Sequence, residues 1–321
     1  MSHTTSTLGF VGIDVSSGTL DVHLLPEKRT WTVTNDPTGH AALVEELKSL
    51  QAALIVLEAT GGYEVPIVAE LAAANLPVVV VNPRQVRDFA KALGITSKTD
   101  RLDAGVLARF AQDIRPEIRP LPSEEERFLR ELLARRRQLV QLHTQESNRF
   151  KQAASAKVRH SISDILRVLK KQLSQIDADI DRLIRQSSVW REKEEILRSV
   201  PGVGPTTART LLAELPELGH YGNRQISSLA GLAPRNRDSG KFRGTRSIGG
   251  GRGNVRKALY MAALTAVKYN PSLHEFYQRL RNEGKKFKVA ITACMHKLLI
   301  ILNTMVRKNT YWNCQITSKI T

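Results

Sequence analysis

Three consecutive strand patterns fill residues 8 to 34 and leave no room between them for a helix. LGFVGIDV is an apolar run ending in an acid, Leu20, Val22 and Leu24 then alternate with polar neighbours, and Trp31 and Val33 do the same. Parallel neighbours in a sheet need a crossover of a dozen or more residues, so these strands must fold back on one another as an antiparallel meander. Beyond them, helical spacing from Thr38 to Leu50, short buried strands at Leu54 to Leu57 and Val78 to Val81, and a helix from Tyr63 to Ala74 between those two strands alternate along the chain. The order predicts a mixed sheet flanked by helices rather than a doubly wound one.

A helix through Arg109 and Phe110 is followed by RPEIRPLP, whose three prolines break helix and mark a linker. Ser123 with Glu126 forms a capping-box pattern that opens a charged helix reaching about Ala156, with Leu129, Leu132, Leu133, Leu139 and Val140 on its apolar side. In the next helix Ile162, Leu166, Leu169, Leu173, Ile176, Ile180 and Leu183 step by four and three, the seam of a coiled coil. Residues 123 to 190 therefore read as a helical hairpin or a dimerising stalk. After Trp190 come glycine punctuation, clustered arginines and amphipathic helices to about Arg307, then a polar tail without periodicity. The resulting division is 1–118, an α/β domain; 119–195, a helical coiled-coil and dimerisation region; 196–308, a mainly α-helical C-terminal domain; and 309–321, the tail.

Lys and Arg total 48 against 31 Asp and Glu, a formal charge of +17. Such an excess favours a polyanionic partner through counterion release, with nucleic acid foremost. No uninterrupted apolar run looks long enough to span a membrane and no signal-peptide pattern opens the chain, which reads as soluble and cytoplasmic. The two cysteines, Cys294 and Cys314, are too few for a disulfide framework or a thiolate metal site, and the eight histidines form no metal-ligand spacing.

Asp14 ends the first strand and Glu58 the fourth, in VLEATGGYE, and strand ends at one edge of a sheet can share a site. Asp100 and Asp103, in TDRLDA, lie three apart at a helix start and project from one face. Any one of these acids is adequately explained as a cap. Four of them so placed are better explained as hard oxygen ligands for Mg²⁺, or Mn²⁺, of which a pair about 3.5–4 Å apart can stabilise both the attacking and the leaving oxygen at a phosphodiester. The strand and helix order is compatible with a ribonuclease-H-like core.

In the C-terminal unit, LRSVPGVGPTTARTLLAEL places Gly202 and Gly204 in a hairpin between two helical patterns. Helix-hairpin-helix modules aim such backbone N–H groups at phosphates, although a tight helix–helix turn needs glycine for its own sake. RNRDSGKFRGTRSIGGGRGNVRK sets Arg235, Arg237, Lys241, Arg243, Arg246, Arg252, Arg256 and Lys257 against the single acid Asp238, the composition of a nucleic-acid groove. Ser239 within it reads on chemistry alone as a turn residue. GGGRGN lacks the lysine and hydroxyl of a nucleotide P-loop and is not assigned one.

GIDVS around Asp14, LEATGGYE around Glu58, VNPRQVRDFAKALG from Val81 to Gly94 and KTDRLDA around Asp100 and Asp103 together resemble the DEDD-type transposases of the insertion-sequence-110 family, over nearly the whole chain. The resemblance implies a RuvC-like, ribonuclease-H-type N-terminal domain, metal coordination by Asp14, Glu58, Asp100 and Asp103, and guidance by an element-encoded bridge RNA. It implies a C-terminal transposase domain in which Ser239 is the covalent nucleophile on DNA, with Ser247, Ser227 and Ser228 as nearby competitors. It makes Arg84 of the NPR triplet a candidate nucleic-acid contact, donor and target DNA the substrates, and a homodimer or homotetramer assembled through the coiled coil the working form. Three other readings stand beside it. GIDVSSGTLD could be the first phosphate loop of an actin-like sugar kinase or ATPase, the acids could serve a stand-alone Holliday-junction nuclease, or a non-enzymatic nucleic-acid-binding protein could use them as caps.

Overall fold

The computed structural model describes residues 9–95, 100–118, 122–234 and 247–313, with 100–102 as backbone alone. Contacts divide the chain into two compact units, Met1–Leu121 and Pro122–Thr321.

The first unit is built on a five-stranded sheet in the order β3-β2-β1-β4-β5. Strands β1 (Phe10–Val15), β2 (Thr19–Leu25) and β3 (Arg29–Thr34) form the expected antiparallel meander. Its first turn closes because the Ser16 hydroxyl accepts from the Thr19 N–H at 2.9 Å, an arrangement that short polar side chains favour over continuing a strand. Strands β4 (Leu54–Glu58) and β5 (Val78–Val81) then add in parallel on the other side of β1. Helix α1 (Pro37–Ser49) starts where the Asp36 carboxylate accepts from the Gly39 N–H at 2.9 Å and proline supplies a preset first residue. It packs with α2 (Val65–Ala73) on one face of the sheet, over Val11, Ile13, Val15, Ile55 and Leu57. Helices α3 (Pro83–Ala92) and α4 (Asp100–Ile114) cover the other face, over Phe10, Leu54, Val56 and Val81. Phe89 of α3 meets Phe110 of α4 edge to face, with centroids 5.3 Å apart.

The second unit, among its described residues, is helical. Helix α5 (Glu124–Gln152) opens on the predicted capping box, with Ser123 Oγ accepting from the Glu126 N–H at 3.2 Å and the Glu126 carboxylate accepting from the Ser123 N–H at 3.1 Å. It turns back through three residues into α6 (Ala156–Gln186), and the two form a hairpin pinned by the Arg136 to Asp177 ion pair at 2.6 Å. Where the sequence predicted a coiled-coil seam, Ile162 and Ile180 are buried, whereas Leu166, Leu169 and Leu173 are only partly covered. A single chain thus presents a two-helix hairpin and not a completed coiled coil.

The root of that hairpin, Leu129 and Leu133 with Ile180 and Ile184, packs on Ala213 of α8 (Pro205–Glu214). Arg209 of α8 reaches Asp181 of α6 and, at 2.9 Å, Glu194 of α7 (Ser188–Arg198), an ionic knot between three helices. The main core forms among α7, α8, α9 (Asn223–Leu229), α10 (Gly253–Tyr269), α11 (Pro271–Asn282) and α12 (Phe287–Lys308). Helix α12 corrects one expectation: by length and composition it could cross a membrane, although no such run was anticipated. Polar residues interrupt it at helical spacing, and Cys294, Leu298 and Leu302 are instead fully buried in the core.

Candidate active site

Strand parity decides where the acids of the first unit point. Phe10 and Gly12 face the α4 side, so Asp14, two residues on, does too. Leu54 and Val56 face the same side and bring Glu58 with them. The parallel register pairs Gly12 with Val56 and Ile13 with Leu57, which carries Asp14 and Glu58 to neighbouring positions at one edge of the sheet. Helix α4 supplies the third acid. Val106, Leu107 and Phe110 are its buried stripe, and Asp103, half-buried, lies on that stripe one turn earlier. Asp100 is a further turn toward the helix start, and its side chain falls outside the described residues.

What brings α4 so close is Gly12. A Cβ at that position would overlap the Ala104 carbonyl oxygen and the Ala108 nitrogen, so the helix backbone rests directly on β1 only because residue 12 has no side chain. Asp103 is the neighbour of Ala104, and Asp14 is one pleat from Gly12. A single glycine therefore sets the approach of two acids, a role that sequence reasoning missed within GIDVS.

Asp21 was missed as well. The antiparallel register places it directly opposite Asp14, on the same face, where its carboxylate accepts from the Thr32 hydroxyl. Like charges directly opposite in a sheet repel. The alternation in TLDVHLL carried the signal. Next along that face His23 pairs with Gly12 across the strands, 2.8 Å from Thr30 Oγ1, and burial pushes its imidazole below the ordinary range.

The loop after Glu58 is shaped by its own sequence. Gly61 (φ 68°) and Gly62 (φ 109°) take left-handed conformations that favour glycine. The Glu64 carboxylate accepts from the N–H groups of Thr60 at 3.0 Å and Gly62 at 2.9 Å, while the Thr60 hydroxyl donates to the Glu58 carbonyl at 3.0 Å. The second glutamate of LEATGGYE thus folds the loop that follows the first.

The acids on this face, Asp14, Glu58, Asp103 and Asp21, are carboxylates, the hard oxygen type that suits a divalent cation. Among the described residues no group of three or more His, Cys, Asp or Glu is close enough to hold a metal ion. Arg84, at the start of α3, is 72% exposed and lies 3.8 Å from Asp88.

In the second unit Gly202 (φ 100°) sits where a Cβ would come within 2.6 Å of the Ala266 backbone, so packing against α10 demands glycine there. Gly204 is exposed at the start of α8, which has no side-chain cap and begins on Pro205. Arg252 directs its guanidinium at the Glu217 carboxylate, and Arg256 donates to the Gly250 carbonyl and, at 3.3 Å, to that of Ala230. Arg252 thus ties the GGGRGN loop to the segment between α8 and α9, and Arg256 ties it to the end of α9. Ser227 is buried, its hydroxyl donating to the Asn223 carbonyl at 2.7 Å, whereas Ser228 and Ser247 are exposed. Arg235, Arg237, Ser239, Lys241, Arg243 and Arg246 lie outside the described residues.

Comparison with known proteins settles the family. Residues 11–156 match a DEDD transposase model of IS110 type, and residues 194–278 match that of the transposase IS116/IS110/IS902 family. The chain is 30% identical over 315 residues to the pilin gene-inverting protein of Moraxella bovis, covering 94% of this chain and 96% of that one. It belongs to the IS110-type transposase family. An uncharacterized 43.6 kDa protein of insertion element IS110 from Streptomyces coelicolor is 25% identical over 162 residues, 50% of this chain and 39% of its own. An uncharacterized 42 kDa protein of IS900 from Mycobacterium paratuberculosis is 29% identical over 181 residues, 52% of this chain and 45% of its own. Family membership makes the chain a DNA-cleaving and rejoining enzyme, with DNA as substrate and a divalent metal as the general requirement of its DEDD domain.

Proposed function

We propose that this transposase excises and inserts an element by combining an Mg²⁺-binding site at Asp14, Glu58, Asp100 and Asp103 with a serine nucleophile at Ser239, under guidance from an element-encoded bridge RNA. The observation that carries the reading is the placement of Asp14 and Glu58 on the sheet face that α4 covers, with Asp103 on the buried stripe of that helix, which is seated on Gly12. Bound there, Mg²⁺ would supply Lewis-acid stabilisation to the oxygens of a scissile phosphate. Ser239 Oγ would attack the phosphorus and give up its proton, forming a phosphoserine ester as the sugar oxygen departs. Attack by the hydroxyl of a second strand would then release the serine and restore the phosphodiester. Arg235, Arg237, Lys241, Arg243 and Arg246 would neutralise the backbone charge about Ser239 and stabilise the transition state. Arg84 and the exposed Gly204 would add backbone contacts, while Gly202 would shape that hairpin and Arg252 would brace the loop beside the basic run.

The partly covered Leu166, Leu169 and Leu173, with Ile165 46% and Val168 61% exposed, support assembly of two or four copies through the hairpin. The decisive experiment incubates the protein with Mg²⁺, donor and target DNA, and RNA transcribed from the element's noncoding flank, then resolves covalent protein–DNA adducts under denaturing conditions. Wild type is expected to give an adduct, Ser239→Ala none. Strand exchange that persists in Ser239→Ala refutes the nucleophile, and full activity in Asp14→Asn refutes the acid site.

A further inference from the structure

We propose that Asn35 is a positioning residue that sets the spacing of the two acid-bearing segments, and that the buried His40 fixes its orientation. The inference rests on the acid site proposed above. Asn35 follows β3, and its backbone N–H donates to the Gly18 carbonyl at 3.0 Å, which places its side chain at the edge where Asp14 and Glu58 emerge. From there its Nδ2 donates to the Ser16 carbonyl at 2.7 Å and to the Tyr63 carbonyl at 3.3 Å. Ser16 is two residues beyond Asp14, and Tyr63 closes the loop that begins at Glu58. One amide nitrogen therefore grips both segments, and neither can move from the other without stretching a bond to it.

The orientation of that amide follows from its partners. Carbonyl oxygens only accept, so the nitrogen must face Ser16 and Tyr63 and Oδ1 must face the other way. Oδ1 lies 2.7 Å from His40 Nε2, which must then carry a hydrogen. His40 is 3% exposed on α1, and its Nδ1 faces Glu70 Oε1 on α2 at 3.2 Å. Helix initiation does not explain Asn35, because Asp36 performs the capping. The chain Glu70, His40, Asn35 runs from the α1 and α2 layer to the two segments that leave β1 and β4, which no local pattern in the sequence announces.

The test compares wild type with Asn35→Asp, which keeps the shape but replaces the two donors with oxygen, and with Asp14→Asn. Each is assayed for Mn²⁺ binding by calorimetry, for melting temperature, and for cleavage of plasmid DNA carrying the element and its flanks in the presence of RNA transcribed from the element's noncoding flank. Asn35→Asp is expected to stay folded, to bind Mn²⁺ more weakly, and to cleave about 10- to 100-fold more slowly, the cost of displacing reacting groups by about 1 Å. Wild-type Mn²⁺ binding and cleavage in Asn35→Asp, beside an inactive Asp14→Asn, would overturn this inference alone. Wild-type cleavage in both would overturn the acid site and this inference with it. Should Asn35→Asp fail to fold, the same readings on Glu70→Ala and Glu70→Gln decide the matter: impairment in the first with recovery in the second supports the brace, and wild-type behaviour in both overturns it.

Discussion

Replacing Gly12 by alanine tests the central geometry with a single methyl group. Gly12 has no positive φ, so alanine can adopt its backbone conformation, and the whole penalty comes from the overlap of the new Cβ with Ala104, Leu107 and Ala108. Backbone atoms of a packed helix cannot rotate aside as a flexible side chain can, so α4 must lift. Overpacking of this kind costs roughly 2 kcal/mol, and at about 4 °C per kcal/mol for a domain near 100 residues the first unit should melt about 8 °C lower. A lift of about 1 Å also separates Asp103 from Asp14 and should slow metal-dependent DNA cleavage by about 100-fold. Calorimetric melting, and plasmid cleavage under saturating Mg²⁺ with RNA transcribed from the element's noncoding flank, measure the two effects on one preparation. A Gly12→Ala protein that melts and cleaves as wild type does would refute the contact of α4 with β1 and, with it, the account of how α4 brings Asp103 toward the strand ends.

The remaining expectations concern both units. Arg209→Ala leaves Glu194, only 10% exposed, without its cation and should cost about 3 kcal/mol in urea unfolding, with Asp181 adding little because it is 40% exposed; a loss below about 1 kcal/mol contradicts the ionic knot. Burial pushes the Cys294 thiol up to about 11, so in a Cys314→Ser background at about pH 8 it should react with a disulfide reagent only as fast as the chain unfolds, and immediate labelling contradicts its burial. Burial also holds His23 and His296 below their ordinary 6.5. The unfolded chain therefore takes up protons first as the pH falls, stability declines from about pH 6.5 downward, and a urea midpoint that does not drop between about pH 7.5 and about pH 5.5 contradicts the assignment.

Much of this was legible locally. The meander of β1 to β3 follows from chain length alone, because too few residues separate the strands for a crossover. The capping box at Ser123, the turn from α5 into α6 and the glycine turn before α8 are short-range arrangements whose participants are sequence neighbours. Asp14, Glu58 and Asp103 could be singled out because each stands at the end or start of an element with a clear period. Helix α12 was harder to see, since an apolar core helix and a membrane-spanning one share composition and only the surrounding helices distinguish them.

Tertiary structure decided what those residues do together. The parity of two parallel strands turned Asp14 and Glu58 toward the same helix, Gly12 set how near that helix lies, and antiparallel register brought Asp21 opposite Asp14. The same kind of contact gave Arg252 to Glu217 and Asn35 to two carbonyls far from it in sequence. Periodicity and capping record forces between residues a few positions apart. Parallel strand pairing, backbone approach and ion pairing across long separations arise only once the chain has folded, and apart from the Asp14 and Asp21 hairpin pair no short window of this sequence contains both partners.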